Sequence, residues 1–414
     1  MENVVAIVDP FSSGSLIAQK FINKGIKCIS VLSEFPIPEL FLPSYKPGDF
    51  IEELDASADL TKVISTLEQY NVIAVIPGLE SGVILADKIS ALAGIVGNNT
   101  KTSKNRRHKY FMIEAIKEYG LKTASQCLCS SVDEAIEGAK NINEFPLIVK
   151  PVDSGGSNNV YLCSSIDEVQ SGALNILNTP NVFGKPSNEI LIQTFLKGEE
   201  YVVDCVSYDG KHVTTNVFKY EKISANGSQV VYRSIIPVDL DSSLAKTLIA
   251  YNDSVLDALE VSYGASHSEV IITSSGPAIV EVGARLHGGG IPGIIDTYSN
   301  VSQLSLLVDS YSDPEVFMGA TYDIISDKKI HIHHCVSYVE GNINNLNLAR
   351  EIESLSSFEK LVWYVKKSGK IRLTKDLDSC PAKVVLAHED AAVIKRDIQT
   401  LVELENHFHT LCEA

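Results

Sequence analysis

Short continuous apolar runs at 4–8, 28–32 and 72–76 alternate with segments at 16–23, 60–70 and 83–92 whose apolar residues recur at helical spacing. Runs that are apolar on both faces are what buried parallel strands require. Strand–helix–strand order predicts βαβ units on one parallel sheet. From about residue 99 the pattern changes. A basic-headed helix is expected over 102–119, a strand over 124–129 and a helix over 132–141 behind a Ser131 cap. Strands follow at 145–151, 160–163 and 188–194, then a turn over 195–200. Two more strands, 201–208 and 211–218, meet at Asp209-Gly210, a strong hairpin signal. A strand at 229–236 and a helix at 241–259 complete a middle third with antiparallel character. Beyond a helix at 301–311, an appended α/β region is expected: strands 329–338, 360–365 and 383–388, helices 346–355 and 390–410.

The stretch 264–293 stands out. Two apolar runs, 270–273 and 278–282, flank Ser274-Ser275-Gly276-Pro277, which predicts a hairpin. With a loop over 274–276, Thr273 faces Pro277, Glu269 falls opposite Glu281, and His267 falls opposite Gly283. His267 and Glu269 then share a face. Facing carboxylates repel. In a mostly buried hairpin the repulsion requires a shared proton or a cation, and Mg²⁺ suits oxygen donors. Arg285 follows, then the glycine-rich run Gly288-Gly289-Gly290 with free backbone N–H groups. Together these describe a place for phosphate.

Composition narrows the function classes. A chain of 414 residues is long enough for two or three domains, and 45% apolar content is ordinary for a globular protein. A net charge of −17 argues against nucleic acid or an anionic membrane as a general partner. No apolar run approaches the roughly 20 residues that span a bilayer, and the N-terminus lacks the pattern of a signal peptide. The eight cysteines are scattered and form no CxxC pair, so reduced packing thiols in a cytoplasmic protein are expected.

Other candidates lie along the chain. Ser12–Ser15 forms a Ser/Gly turn that could receive a carboxylate or phosphate, without the GxGxxG spacing of a dinucleotide site. Glu80 stands where a strand gives way to a helix, either as a ligand contact at the carboxyl edge of the sheet, where α/β proteins bind ligands, or as an acid that complements the helix dipole. Lys150 closes an apolar strand beside the Ser/Gly loop 153–159, a point charge next to backbone donors. His331, His333 and His334 resemble metal ligands in print, but no acidic or cysteine partner stands at useful spacing, so no metal is expected there.

The ordered set of these motifs resembles the ATP-grasp ligases: Lys109, the run Phe145–Pro151 with Lys150, the Ser-Gly-Gly-Ser loop, Gln193–Glu200, then Glu269 and Glu281 with Arg285. The resemblance covers essentially the whole chain. Within the family, Pro77–Val83 and Glu281–Leu286 look like the L-amino acid ligases that make dipeptides, some of them in antibiotic biosynthesis. It implies an α/β and α+β multidomain protein with the ATP-grasp fold. A Rossmann-like parallel α/β domain would occupy 1–98, a small lid subdomain 99–185, a large subdomain with the metal hairpin 186–320, and a small C-terminal α/β lobe 321–414.

It also implies roles. Lys109 and Lys150 would contact ATP, and Gly155, Gly156 and Ser157 would close over its phosphates as a lid. Gln193, Thr194, Phe195 and Leu196 would form the adenine hinge, with Glu200 on the ribose. Glu269 and Glu281 would ligate Mg²⁺, or Mn²⁺ in its place. Arg285 would hold the reacting carboxylate. Glu80, His267, Gly288 and Gly289 would face the amino-acid substrates. Arg285, Lys150 and Glu281 are the expected catalytic set. Many relatives carry asparagine at the position of Gly283, so the number of metal ions is open. The implied reaction activates one amino acid, with arginine a candidate, as an acyl phosphate, which the amine of a second amino acid attacks; ADP and phosphate are released. Partners would be small molecules only, in a protein compatible with a homodimer. Two rivals are an ATP-grasp enzyme with another acceptor and a non-catalytic nucleotide-binding module.

Overall fold

A computed structural model describes residues 2–152, 159–179, 187–366 and 368–412. The N-terminal region is a parallel four-stranded sheet in the order Glu52–Asp55, Lys27–Leu32, Asn3–Val8, Asn71–Pro77. Helices Ile17–Asn23, Leu60–Leu67 and Val83–Leu92 pack against it through apolar clusters around Ile7 and Val8. The βαβ expectation is met, with the short strand Glu52–Asp55 added. That strand was illegible because only Leu54 of its four residues is apolar and buried. The loops at the carboxyl edge touch closely. A Cβ on Gly14 would lie 2.4 Å from Cα of Gly78, and one on Gly78 would lie 2.5 Å from the Asp9 carbonyl oxygen. Only glycine permits backbones to cross this near. The buried Asp9 carboxylate ties the loops together, accepting from Ser33 N at 2.8 Å and Ser81 Oγ at 2.5 Å.

The next region is an antiparallel four-stranded sheet, ordered Gln126–Cys129, Ile190–Thr194, Leu147–Pro151, Tyr161–Cys163. Helices Val132–Ile142 and Ile166–Leu177 cover it. A short repeat underlies them. Ser-Ser-Val-Asp-Glu at 130–134 and Ser-Ser-Ile-Asp-Glu at 164–168 make the same cap, with Ser131 Oγ accepting from Glu134 N and Ser165 Oγ from Glu168 N, each at 3.2 Å. The helix expected over 102–119 is broken: a 3₁₀ turn, Ser103–Arg106, precedes the α-helix Lys109–Glu118.

Eight antiparallel strands form the central sheet. Their order is Gly276–Gly283, Gly264–Thr273, Gly198–Tyr208, Lys211–Ala225, Ser228–Val238, Lys329–His334, Ala382–His388, Phe358–Trp363. The last three strands therefore extend the central sheet instead of building a sheet of their own. The strand expected over 329–338 stops at His334, and the turn expected over 195–200 shortens because Gly198 already pairs with Thr273. Helices Lys109–Glu118 and Ser243–Ala258 bury one face against Val203, Val270 and Val282. Helix Ile291–Tyr298 packs against Phe218, Ile332 and Val385. No described helix is long and apolar enough to cross a membrane.

Candidate active site

The hairpin of Glu269 and Glu281 begins with a two-residue turn, Ser274-Ser275. Thr273 pairs with Gly276 and Ile272 with Pro277, one residue out of step with the sequence-based count. A bulge between Glu269 and Val270 absorbs the difference. Beyond it Glu269 lies opposite Glu281, and His267 opposite Gly283. Pairing across the ladder puts the two carboxylates side by side.

Cations gather on them from other elements. Lys109, at the start of its helix, places Nζ 2.6 Å from Glu281 Oε2. The Lys109 amide donates to the Val152 carbonyl at 3.2 Å, tying this helix to the strand that ends beside Lys150. Lys150 is buried. Burial first, and the charge of Lys109 second, depress its ammonium to about 8, while Glu281, Glu269 and Glu200 oppose the shift. Two lysines and three carboxylates thus share one electrostatic cluster. The glutamates offer hard oxygen donors on adjacent strands, which suits a divalent cation such as Mg²⁺.

Behind Glu269 lies a buried polar chain. Asp204 receives His267 Nδ1 at 3.0 Å on one oxygen and His287 Nδ1 at 2.9 Å on the other. The far nitrogen of His287 meets the Tyr220 hydroxyl at 2.8 Å. The far nitrogen of His267 faces Glu269 Oε1 at 3.7 Å. Only one imidazole on a single carboxylate needs to carry charge, and it is the one flanked by a second carboxylate. Burial opposes that charge, but Asp204 and Glu269 outweigh it and raise His267 to about 9. For His287 burial prevails and lowers it to about 4. Burial likewise opposes ionisation of Glu269. The His267 contact and charge, with Lys222 and Lys109, hold it below its usual range. His267 is only 5% exposed and faces carboxylates through both nitrogens. It therefore lies between Asp204 and Glu269, within the buried polar chain.

Glu80 reaches this hairpin from the N-terminal sheet. Its Oε2 lies 3.2 Å from Arg285 Nε, and its Oε1 lies 3.9 Å from Arg107 Nε. Arg285 also donates through Nη1 to the Leu286 carbonyl at 2.8 Å. Gly283 leaves room for the pair: a Cβ there would come within 3.1 Å of Arg285 Cζ and 3.2 Å of Glu80 Oε2. Further on, Gly289 and Gly290 adopt positive φ of 64° and 73°. The Gly290 amide donates to Ser13 Oγ at 2.9 Å, so the Ser/Gly turn of the first sheet braces the loop. This removes Gly290 from the expected set of free donors. Among the described residues, the amides of Gly288 and Gly289 make no hydrogen bond.

Most of the other expected residues have partners within the protein. Gln193 is buried and donates through Nε2 to Gln126 Oε1 at 3.0 Å. The amides of Thr194 and Phe195 are taken by the Ser125 and Pro146 carbonyls, at 2.9 and 3.2 Å. A hinge ligand would therefore use the amide of Leu196. Glu200 is paired with Lys222 and accepts from the Tyr232 hydroxyl at 3.3 Å; burial raises its carboxyl. Gly155, Gly156 and Ser157 lie outside the described residues. Sequence reasoning missed Asp204, Tyr220, Lys222, Arg107 and His287. Asp204 carried a usable signal, as an aspartate inside the apolar strand Gly198–Tyr208. The histidine run 331–334 also gains partners absent from the sequence neighbourhood. His333 Nε2 lies 3.0 Å from buried Glu405, which also pairs with Arg233 Nη1 at 2.7 Å. That guanidinium already balances Glu405.

A central antiparallel sheet with two carboxylates on a hairpin, facing a smaller sheet that delivers a buried lysine, is the ATP-grasp arrangement. Residues 143–292 match the model of the ATP-grasp domain. The chain is 27% identical to dapdiamide A synthase of Enterobacter agglomerans over 416 residues, covering 99% of this chain and 97% of the relative. It is 26% identical to the L-arginine-specific L-amino acid ligase of Bacillus subtilis over 279 residues, 65% of this chain and 66% of that one. Its fold matches the crystal structure of an L-amino acid ligase from Bacillus licheniformis with a TM-score of 0.76, at 15% identity and 97% coverage of both chains.

Proposed function

We propose that this protein joins two L-amino acids into a dipeptide, consuming ATP and releasing ADP and phosphate. The observation that carries this reading is the Glu80–Arg285 pair beside the Glu269/Glu281 hairpin. An anion and a cation side by side, next to a phosphate-transfer site, match the ammonium and carboxylate of a free amino acid. The similarity to two amino-acid ligases supports the same substrate class.

The chemistry follows from the residues. A carboxylate oxygen of the first amino acid attacks the γ-phosphorus of ATP; the bond to the β–γ bridging oxygen breaks and ADP leaves. Lys109 and Lys150 neutralise the transferring phosphoryl charge, and Arg285 aligns the attacking carboxylate. Glu269 and Glu281 would hold Mg²⁺, which supplies charge neutralisation on the phosphates. The amine of the second amino acid then attacks the acyl carbon. The amides of Gly288 and Gly289, with Arg285, face the oxygen that becomes negative. Phosphate departs with the bonding pair, and the amine loses a proton.

Mass spectrometry of products from ATP, Mg²⁺ and a panel of the twenty amino acids tests the reading. A dipeptide mass with stoichiometric ADP supports it. ATP turnover with bicarbonate or an amino-nucleotide, but with no amino acid, overturns it. Arginine is the N-terminal substrate to examine first, because one of the similar proteins is an L-arginine-specific L-amino acid ligase. A flat response to arginine removes that preference alone.

A further inference from the structure

The strand Ala382–His388 brings a buried lysine to the substrate loop. Lys383 is 4% exposed, and its Nζ donates to the Gly289 carbonyl at 2.5 Å. Among the described residues it forms no ion pair. An ammonium has three donors, so two remain for another acceptor. Directly across the ladder lies His334, 7% exposed, whose Nδ1 is buried without a partner. Both sit on the sheet face carrying Ile330, Ile332, Val385 and Ala387, which packs against Ile291 and Ile295 of the helix Ile291–Tyr298. They therefore meet that helix at its N-terminal end, just past Gly290, where its dipole is positive.

A buried ammonium, an imidazole with an unfilled nitrogen and a positive helix end thus converge with no anion among them. Leaving a buried charge uncompensated is costly, and burial does depress Lys383, to about 8. The position along the loop identifies the missing anion. The phosphates are served at the glutamate end by Lys109 and Lys150, and Arg285 serves the carboxylate being activated. Gly289 lies four residues beyond Arg285, on the side away from the glutamates in sequence. One anion of the reaction is left, the α-carboxylate of the attacking amino acid.

We infer that Lys383, with His334 and the Gly289 loop, forms the subsite for the carboxylate of the second, acceptor amino acid, an inference that rests on the ligase reading above. The site would select acceptors with a free α-carboxylate and would orient the amine toward the acyl carbon.

Dipeptide formation is measured with a preferred acceptor and with its α-amide, using wild-type enzyme, Lys383→Met and Lys383→Arg. Wild type should favour the acid by about 10- to 100-fold in kcat/KM, the range for a hydrogen bond to a charged group. Lys383→Met should bring the ratio to about one, mainly through the acceptor KM, and Lys383→Arg should keep most of it. The ratio within each variant is insensitive to the fraction of folded enzyme. A wild-type enzyme indifferent to the amide, or a Lys383→Met enzyme with the wild-type ratio, overturns the subsite and leaves the ligase reading standing. A wild-type enzyme that makes no dipeptide from any pair overturns both.

Discussion

The Glu80 carboxylate stands 3.2 Å from the Arg285 guanidinium, joining the N-terminal sheet to the end of the Glu269/Glu281 hairpin. Gly283 is the residue that permits this, since a Cβ there would press on both side chains at 3.1–3.2 Å. Arg285 can give by a few tenths of an ångström, so Gly283→Ala should fold normally and lose about 10-fold in kcat. Gly283→Asn introduces a larger polar group and should lose about 100-fold, the scale expected when a reacting group is displaced by about 1 Å. ATP binding should change little in either variant. Steady-state kinetics with calorimetric ATP affinities separates the effects. An Asn variant with wild-type kcat would show that the pair is not under steric control.

Glu281 is tied to Lys109, and Glu269 to His267. The repulsion between the glutamates is therefore already relieved by side chains, and a metal ion would take over those contacts. Glu281→Gln keeps the shape and removes the charge. It should reduce amino-acid-dependent ADP formation by at least 10²- to 10³-fold. It should also abolish Mn²⁺ uptake, read by electron paramagnetic resonance, in the nucleotide complex. Normal Mn²⁺ uptake by Glu281→Gln would remove this residue from the metal site.

Lys150 gives a pH dependence with a defined sign. Burial and Lys109 depress its ammonium to about 8, so it is mostly charged at pH 7 and mostly neutral at pH 9. A triphosphate held by Lys150 would bind its charged form. ATP affinity should therefore weaken as pH rises through 8, and binding should draw in a proton above that pH. Calorimetry at pH 8.5 in two buffers of different ionisation enthalpy should show an uptake of about 0.7 proton per site. At pH 7 the uptake should be near 0.1. Lys150→Arg, charged throughout, should remove most of the uptake at pH 8.5. An unchanged uptake in that variant would place the titrating group elsewhere.

Legibility in the sequence followed the range of the interactions. The parallel first sheet and the antiparallel middle came from local periodicity and turn residues, which are short-range signals. The facing of Glu269 and Glu281 was found through two compensating errors: the turn is one residue shorter than counted, and a bulge adds the residue back. Bulges have no sequence mark comparable to Asn-Gly or Asp-Gly, so the register could not be derived from the turn alone. Asp204, His287 and Tyr220 come from three separate segments, and nothing within any one of them predicts the others. Lys383 carried the same mark as Lys150, a lysine bounding an apolar strand. Its significance depended on that strand joining the central sheet, a pairing between residues about 50 positions apart.

Arg106 provides a stability test of how the first region is held on the central one. It is 0% exposed and donates to Asp87 Oδ2 at 2.8 Å, the Asn99 carbonyl at 2.7 Å and the Leu259 carbonyl at 2.9 Å. Asp87 belongs to helix Val83–Leu92, which follows Glu80, while Leu259 caps helix Ser243–Ala258. Truncating one partner of a buried pair leaves the other charge uncompensated, at a cost of about 3–5 kcal/mol. Arg106→Met should destabilise by that amount in denaturant unfolding. Adding Asp87→Asn should recover part of the loss, because the orphaned charge is removed. Arg106→Met should also raise the KM of the first amino acid more than that of ATP, since Glu80 is carried by the loosened region. Double-mutant analysis and paired KM measurements check both points. Additive losses at the two positions would mean that Arg106 acts mainly through its carbonyl contacts and not through Asp87.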